Sequence, residues 1–270
     1  MERGSVRTVH ADVLLASVGE RGVLCDFYDE EAAGTYQDLM REEDDGTAEA
    51  REFAAHIRPA SGPVLELAAG TGRLTFPLLD LGFEVTALEL SAAMLDTLRR
   101  RLADAPVDVR DRCTVVQADM TAFALDKRFG TVLVSPGTID LLDEADQPGL
   151  YASVREHLAP GGRFLLSIAQ ADAARSESLE RHQEFPGKSG RLYKMHVKAF
   201  PTEKIREVTI YPAEETADPF VVCTSRIRIL AVDQMVAELE EAGFDVITRT
   251  LPAFKKMLLL EATSRSDSSS

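Results

Sequence analysis

The chain has no tryptophan, only 6% aromatic residues and three cysteines in 270 residues. An aromatic-poor core must be aliphatic, built from Leu, Val, Ala and Ile, and the 45% hydrophobic content is enough to build one. Cys25, Cys113 and Cys223 lie far apart without a Cys-x-x-Cys pair, which argues against a zinc framework or a disulfide scaffold and fits a reducing cytoplasm. His10, His56, His157, His182 and His196 show no metal-ligand spacing along the chain, so no metal is expected. Apolar runs stay well short of the ~20 residues of a membrane span, and the first ten residues lack a signal-peptide core. Basic side chains are also scarce, 30 against 45 acidic ones, for a net charge of −15 and a pI near 4.8. A protein that tracks phosphates needs clustered Lys and Arg, so nucleic acid is not an expected partner, and no membrane is either.

What is present is concentrated between residues 64 and 120. Val64-Leu65-Glu66-Leu67 is an apolar strand carrying an acid, and it runs into the small-residue turn Ala68-Ala69-Gly70-Thr71-Gly72 before Arg73 opens a helix. Such a turn lets a ligand approach the backbone closely. A second strand, Phe83 to Leu90, ends at Glu89, seventeen residues after Gly72. A carboxylate there can accept from both hydroxyls of a ribose. A third strand, Cys113 to Ala118, ends at Asp119-Met120, an acid for an adenine amino group and an apolar side chain to cover the ring.

The alternation continues along the chain. Strands are expected near 63–67, 83–88, 113–118, 130–135 and 162–168, separated by helices near 73–81, 91–103 and 146–158, with Ser91 as an N-cap. This is the pattern of an α/β parallel sheet with right-handed crossovers. Pro160-Gly161-Gly162 reads as a turn before the fifth strand. Three strand-like runs, 191–200, 204–211 and 220–230, then follow without intervening helices and predict an antiparallel meander. A helix over Val232 to Ala242 and strands over Phe244 to Thr250 and Met257 to Ala262 close the sheet.

These motifs resemble the class I S-adenosylmethionine-dependent methyltransferases, whose Rossmann-like sheet is mostly parallel with the last strand antiparallel. The resemblance implies S-adenosyl-L-methionine as cofactor. It assigns Glu66 to the methionine side, Ala68, Gly70 and Gly72 to the turn, Glu89 to the ribose and Asp119 to the adenine, and extends the cofactor contacts to Tyr28, Leu90, Met94, Met120 and Ser135. Ala68 departs from the family, which has Gly there. A dinucleotide dehydrogenase is the alternative for the turn, but its third glycine is replaced by Thr75.

Within the family, the layout is similar to small natural-product N-methyltransferases, including amino-sugar N,N-dimethyltransferases, and more narrowly to methyltransferases of daptide-type ribosomal peptide clusters. The resemblance thus implies an amine of a small molecule or peptide as acceptor; an O-methyltransferase or a non-catalytic cofactor-binding protein are the alternatives. An attacking amine must be neutral, and Asp140, in the loop after the fourth strand, and His196, between Lys194 and Lys198 on one strand face, are the candidate catalytic residues. The expected division is an N-terminal arm and helical lid (1–60, with Tyr28 and Tyr36), a cofactor core (61–190), a substrate-covering antiparallel insertion (191–230), core-completing elements (231–263) and a disordered tail (264–270).

Overall fold

The computed structural model describes residues 6–26, 35, 38–39, 46–58, 62–169 and 180–265. The chain divides into two compact units, one formed by Asp45–Gln170 with Leu230–Ser270 and the other by Met1–Asp44 with Ala171–Ile229.

The first unit is an α/β layer structure. Its seven strands are β2 (Val64–Leu67), β3 (Val85–Glu89), β4 (Cys113–Gln117), β5 (Phe129–Val134), β6 (Leu158–Ala169), β11 (Phe244–Leu251) and β12 (Phe254–Ser264), laid out in the order β11-β12-β6-β5-β2-β3-β4. The pairs β2–β3, β2–β5, β3–β4 and β5–β6 are parallel, whereas β12 runs antiparallel to both β6 and β11. Every residue of β2, β3 and β5 is buried, as expected for parallel strands covered on both faces. One core cluster gathers Leu65, Leu67, Val132, Val134 and Phe164; the other holds Val64, Val85, Ala87, Leu133 and Leu165. The strand order reverses between β2 and β5, which makes their carboxyl ends the switch point where ligands bind in such sheets.

Helices α2 (Thr47–Ala54), α3 (Thr75–Asp80), α4 (Ala92–Ala103), α5 (Val107–Arg110), α6 (Gln147–His157) and α7 (Val232–Glu241) belong to this unit. Ser91 caps α4 by accepting from the Met94 N–H, and Met94, Leu95, Leu98 and Leu102 repeat at the helical period to form its buried face. Pro160-Gly161-Gly162 falls within the bounds of β6 but has no ladder partner there: β5 pairs at Phe129 with Leu158 and next at Thr131 with Arg163, so Ala159 to Gly162 bulge out, with Gly161 at a φ of 72°, ahead of the continuous pairing that starts at Arg163.

The second unit is one five-stranded sheet in the order β1-β10-β9-β8-β7, with β1 (Gly22–Asp26), β7 (Glu180–Pro186), β8 (Leu192–Phe200), β9 (Ile205–Pro212) and β10 (Phe220–Arg228). The three expected meander strands are β8, β9 and β10. Two further strands enlarge the sheet beyond the expected 191–230 insertion: β7 precedes it, and β1 comes from the N-terminal region and pairs with β10 in parallel. The boundary therefore falls at Gln170/Ala171 rather than at 190/191, because β7 draws its hydrogen-bond partners from β8. The N-terminal segment, expected as a lid, supplies α1 (Val9–Val18) as well as β1. Thr8 caps α1 by accepting from the Ala11 N–H at 3.1 Å, and Ala11 and Val18 pack with Tyr211, Phe220 and Val222. Most of the segment between β1 and α2, including Tyr28 and Tyr36, lies outside the described residues, as do residues 266–270.

Candidate functional site

The site sits at the carboxyl ends of the parallel strands. After β2 the chain turns through Ala68, Gly70 and Gly72, with φ values of 53°, 57° and 90°. Only glycine takes this left-handed region without cost, so Ala68 carries strain. The turn is tied to the acid of the next strand. Glu89 Oε2 accepts from the Gly70 N–H at 2.9 Å and Glu89 Oε1 from the Ser91 N–H at 2.8 Å. One carboxylate thus joins the glycine turn to the start of α4, and it is held at 8% exposure with its orientation fixed.

Gly72 also has a packing reason to be glycine. A Cβ there would stand 2.6 Å from Leu98 Cδ1 and 2.8 Å from Phe76 Cε2, so this glycine lets α3 and α4 close over the turn. Arg101 strengthens the same corner, donating to the Thr71 carbonyl at 2.7 Å and lying over the Phe76 ring.

Glu66 is buried at 2% exposure and accepts from Thr75 Oγ1 at 2.6 Å. Burial pushes its carboxyl up to about 8, against the opposing pull of the Thr75 hydrogen bond and of Arg73. At neutral pH it is therefore mostly protonated, a condition the sequence reading did not anticipate. Asp119 follows β4, and its Oδ1 accepts from both the N–H and the Oγ1 of Thr121, at 2.9 and 2.6 Å, which fixes this acid in a tight turn. Met120 is half-buried against the core, Met94 is buried and Leu90 is 43% exposed, an uncovered apolar side chain directly after Glu89. Ser135 stands just past the end of β5, on the other side of the switch point from the glycine turn. The arrangement fits an adenosine-bearing cofactor: an oriented carboxylate, a small-residue turn at positive φ, an apolar side chain for a base and a second fixed acid all belong to neighbouring strand ends.

Asp140 lies in a short 3-10 turn (Ile139–Leu141) after β5 and is buried at 8% exposure. His196 belongs to the other unit. It is 4% exposed, its Nε2 lies 2.6 Å from Glu180 Oε1, and its ring stacks against His10 at 3.9 Å between centroids. The strand face it shares with Lys194 and Lys198 is not a solvated polar face at this position, because α1 brings His10 over it. Cross-strand pairing also sets His182 directly opposite His196, and the ligand atoms of Glu180, His182 and His196 all lie within 4.8 Å of one another. Spacing along the chain did not reveal this group. The one signal available was the Glu180-x-His182 alternation, which puts both side chains on one face of a strand.

Known proteins match this description. A family model for a methyltransferase domain matches residues 64–162, from the first residue of β2 to within β6. The chain is 64% identical to the glycopeptide N-methyltransferase MtfA in its crystal structure with S-adenosyl-L-homocysteine, with 97% of this chain and 100% of that one covered and a TM-score of 0.68. Structures of the same relative hold S-adenosyl-L-methionine and sinefungin. Among curated proteins, it is 30% identical over 141 residues to a cypemycin N-terminal methyltransferase of a Streptomyces species, covering 52% of this chain and 55% of that protein. It is 35% identical over 123 residues to the dTDP-3-amino-3,4,6-trideoxy-alpha-D-glucopyranose N,N-dimethyltransferase of Streptomyces venezuelae, covering 44% and 48%. The chain spans about half the length of these two curated relatives. The chain belongs to the S-adenosylmethionine-dependent methyltransferases, and the dehydrogenase alternative falls away.

Proposed function

We propose that the protein transfers a methyl group from S-adenosyl-L-methionine to an amine of a peptide natural product of the glycopeptide type. The observation that carries this reading is the 64% identity to a glycopeptide N-methyltransferase, which extends over 97% of this chain instead of stopping at the cofactor half. The amino-sugar and N-terminal peptide enzymes among the relatives share the amine class of acceptor in their names. When bound, the cofactor supplies a sulfonium-activated methyl group. The residues of this chain would do the holding: Glu89 would accept from the ribose hydroxyls, the Ala68–Gly72 turn would lie against the cofactor, Leu90 and Met120 would cover the base, and Asp119 would accept from its amino group.

The acceptor amine must be neutral at the moment of attack, since a protonated nitrogen has no lone pair. We assign to Asp140 the role of receiving the ammonium form and orienting it as it gives up its proton. His196 is engaged by Glu180 and His10 and is given no substrate role.

The test is incubation of the protein with S-adenosyl-L-methionine carrying a deuterated methyl group and a glycopeptide bearing a free N-terminal amine, followed by mass spectrometry with fragmentation. The expected result is a labelled methyl on the nitrogen, with a rate that rises as pH approaches the amine pKa and falls in Asp140→Asn at unchanged cofactor affinity. A label found only on a hydroxyl or carboxylate would replace this reading with an O-methyltransferase. Cofactor binding with no transfer to any acceptor tried would favour the non-catalytic alternative.

A further inference from the structure

The antiparallel unit carries a cluster of metal-ligand side chains that methyl transfer does not use. We propose that Glu180, His182 and His196 form a binding site for a divalent first-row transition ion of the zinc class, with His10 beside it. The geometry comes from strand register. His182 on β7 and His196 on β8 are direct antiparallel partners, with ring centroids 4.6 Å apart. Glu180, two residues before His182, projects from the same face, and its Oε1 lies 2.6 Å from His196 Nε2. All three ligand atoms lie within 4.8 Å of one another. Tetrahedral ligands at zinc–nitrogen and zinc–oxygen distances of about 2.0–2.1 Å stand roughly 3.3–3.4 Å apart. The close pair therefore has to open by under ~1 Å and the wider contacts have to draw in by ~1.5 Å at most.

Glu180 and His182 are the donors on the solvent side of the group. His182 is exposed and the Glu180 side chain is 52% exposed, whereas His196 is fixed beneath them at 4% exposure. One face of the group is thus anchored and the other open to solvent, which provides an entry path. Two imidazoles and one carboxylate are the borderline donors that suit zinc, cobalt or nickel better than magnesium or calcium.

The consequence is mechanical. Among the described residues β7 is the edge strand of its sheet and pairs with β8, and an ion joining Glu180 and His182 to His196 would pin it. The site does not depend on the proposed methyl acceptor, and its test needs no substrate.

Tag-free protein is dialysed against a chelator, the chelator is removed, and zinc chloride is titrated calorimetrically, with thermal unfolding followed in parallel. We expect one ion per chain and a higher melting temperature with zinc, as binding to the folded state requires. His182→Ala, an exposed position, should weaken binding by about tenfold or more, given that even indirect partners of a metal site are worth 10- to 100-fold. Glu180→Gln keeps a hydrogen-bonding amide in place of the charge, should weaken binding as well, and carries the test if His182→Ala does not fold. Cobalt substitution should give ligand-field bands without thiolate charge transfer. No zinc binding by the wild type, undiminished binding in both variants, or a thiolate band marking the cysteines as ligands would each overturn the site.

Discussion

The two sheets of this chain place their polar chemistry in opposite ways. In the mostly parallel sheet the central strands β2, β3 and β5 offer no exposed position, and the oriented acids Glu89 and Asp119 stand at strand ends. In the antiparallel sheet, by contrast, a polar row runs across one face: His182, His196, Thr209, Thr224 and Asp26 are successive register partners from β7 to β1. Thr8, at the N-cap of α1, approaches Thr209 Oγ1 to 3.3 Å, and His10 stacks on His196. Crossover helices cover both faces of a parallel sheet and leave only its ends for ligands, whereas an antiparallel sheet covered by one helix keeps a face on which side chains from distant parts of the chain meet.

That contrast can be broken or sharpened by substitution, and the largest effect is expected at Gly72. Valine there would need both a positive φ and space already held by Leu98 and Phe76, so it should cost about 2–5 kcal/mol of stability and abolish cofactor binding. Urea denaturation checks this; a wild-type midpoint would mean that α3 and α4 do not close on the turn as described. Glu89→Ala comes next. It removes the acceptor for two backbone N–H groups and the proposed ribose ligand, and hydrogen bonds to a charged group are worth roughly 1.5–3 kcal/mol each, so cofactor affinity should fall at least about tenfold.

Glu66 gives a pH signature. Its folded pKa of about 8 lies above the reference value of 4.5, so the folded protein keeps a proton that the unfolded chain releases between these values. The stability this contributes is full below pH 4.5 and is lost as pH rises through about 8. Glu66→Gln, neutral throughout, should flatten that part of the stability–pH curve and be relatively more stable than the wild type at alkaline pH. Parallel curves for the two proteins in denaturant melts from pH 5 to 9 would show that Glu66 is ionised in the fold. The smallest effect is at Ala68, where glycine relieves a φ of 53° but adds freedom to the unfolded chain. A net gain of about 0.5–1 kcal/mol is expected, and a loss would show that the Ala68 methyl group makes contacts that outweigh the strain.

The same contrast explains what could be read from the sequence. The cofactor half was legible because its determinants are consecutive: Val64 to Gly72 is strand, turn and helix start in one run, and Glu89 and Asp119 follow their own strands directly. The parallel character of the sheet followed from the alternation of periods, whereas its strand order came from the structure. The extent of the antiparallel unit was not legible, since β1 joins it only by pairing with β10 nearly two hundred residues away, and β7 is mostly polar and exposed, with Phe185 its one half-buried residue. The Glu180–His182–His196 group was hidden for the same reason, because its closeness depends on which residues of β7 and β8 face each other. The protonation of Glu66 required its burial and the Thr75 contact, neither of which the motif reveals.

The central claim is that the β2 turn and Glu89 form the cofactor site of a methyltransferase. It is tested most directly by calorimetric titration of S-adenosyl-L-homocysteine into the wild type, Glu89→Ala and Gln183→Ala, the last an exposed change on the antiparallel sheet. One site per chain in the wild type, at least about a tenfold loss in folded Glu89→Ala and no change in Gln183→Ala is the predicted result. Unchanged affinity in folded Glu89→Ala would contradict it.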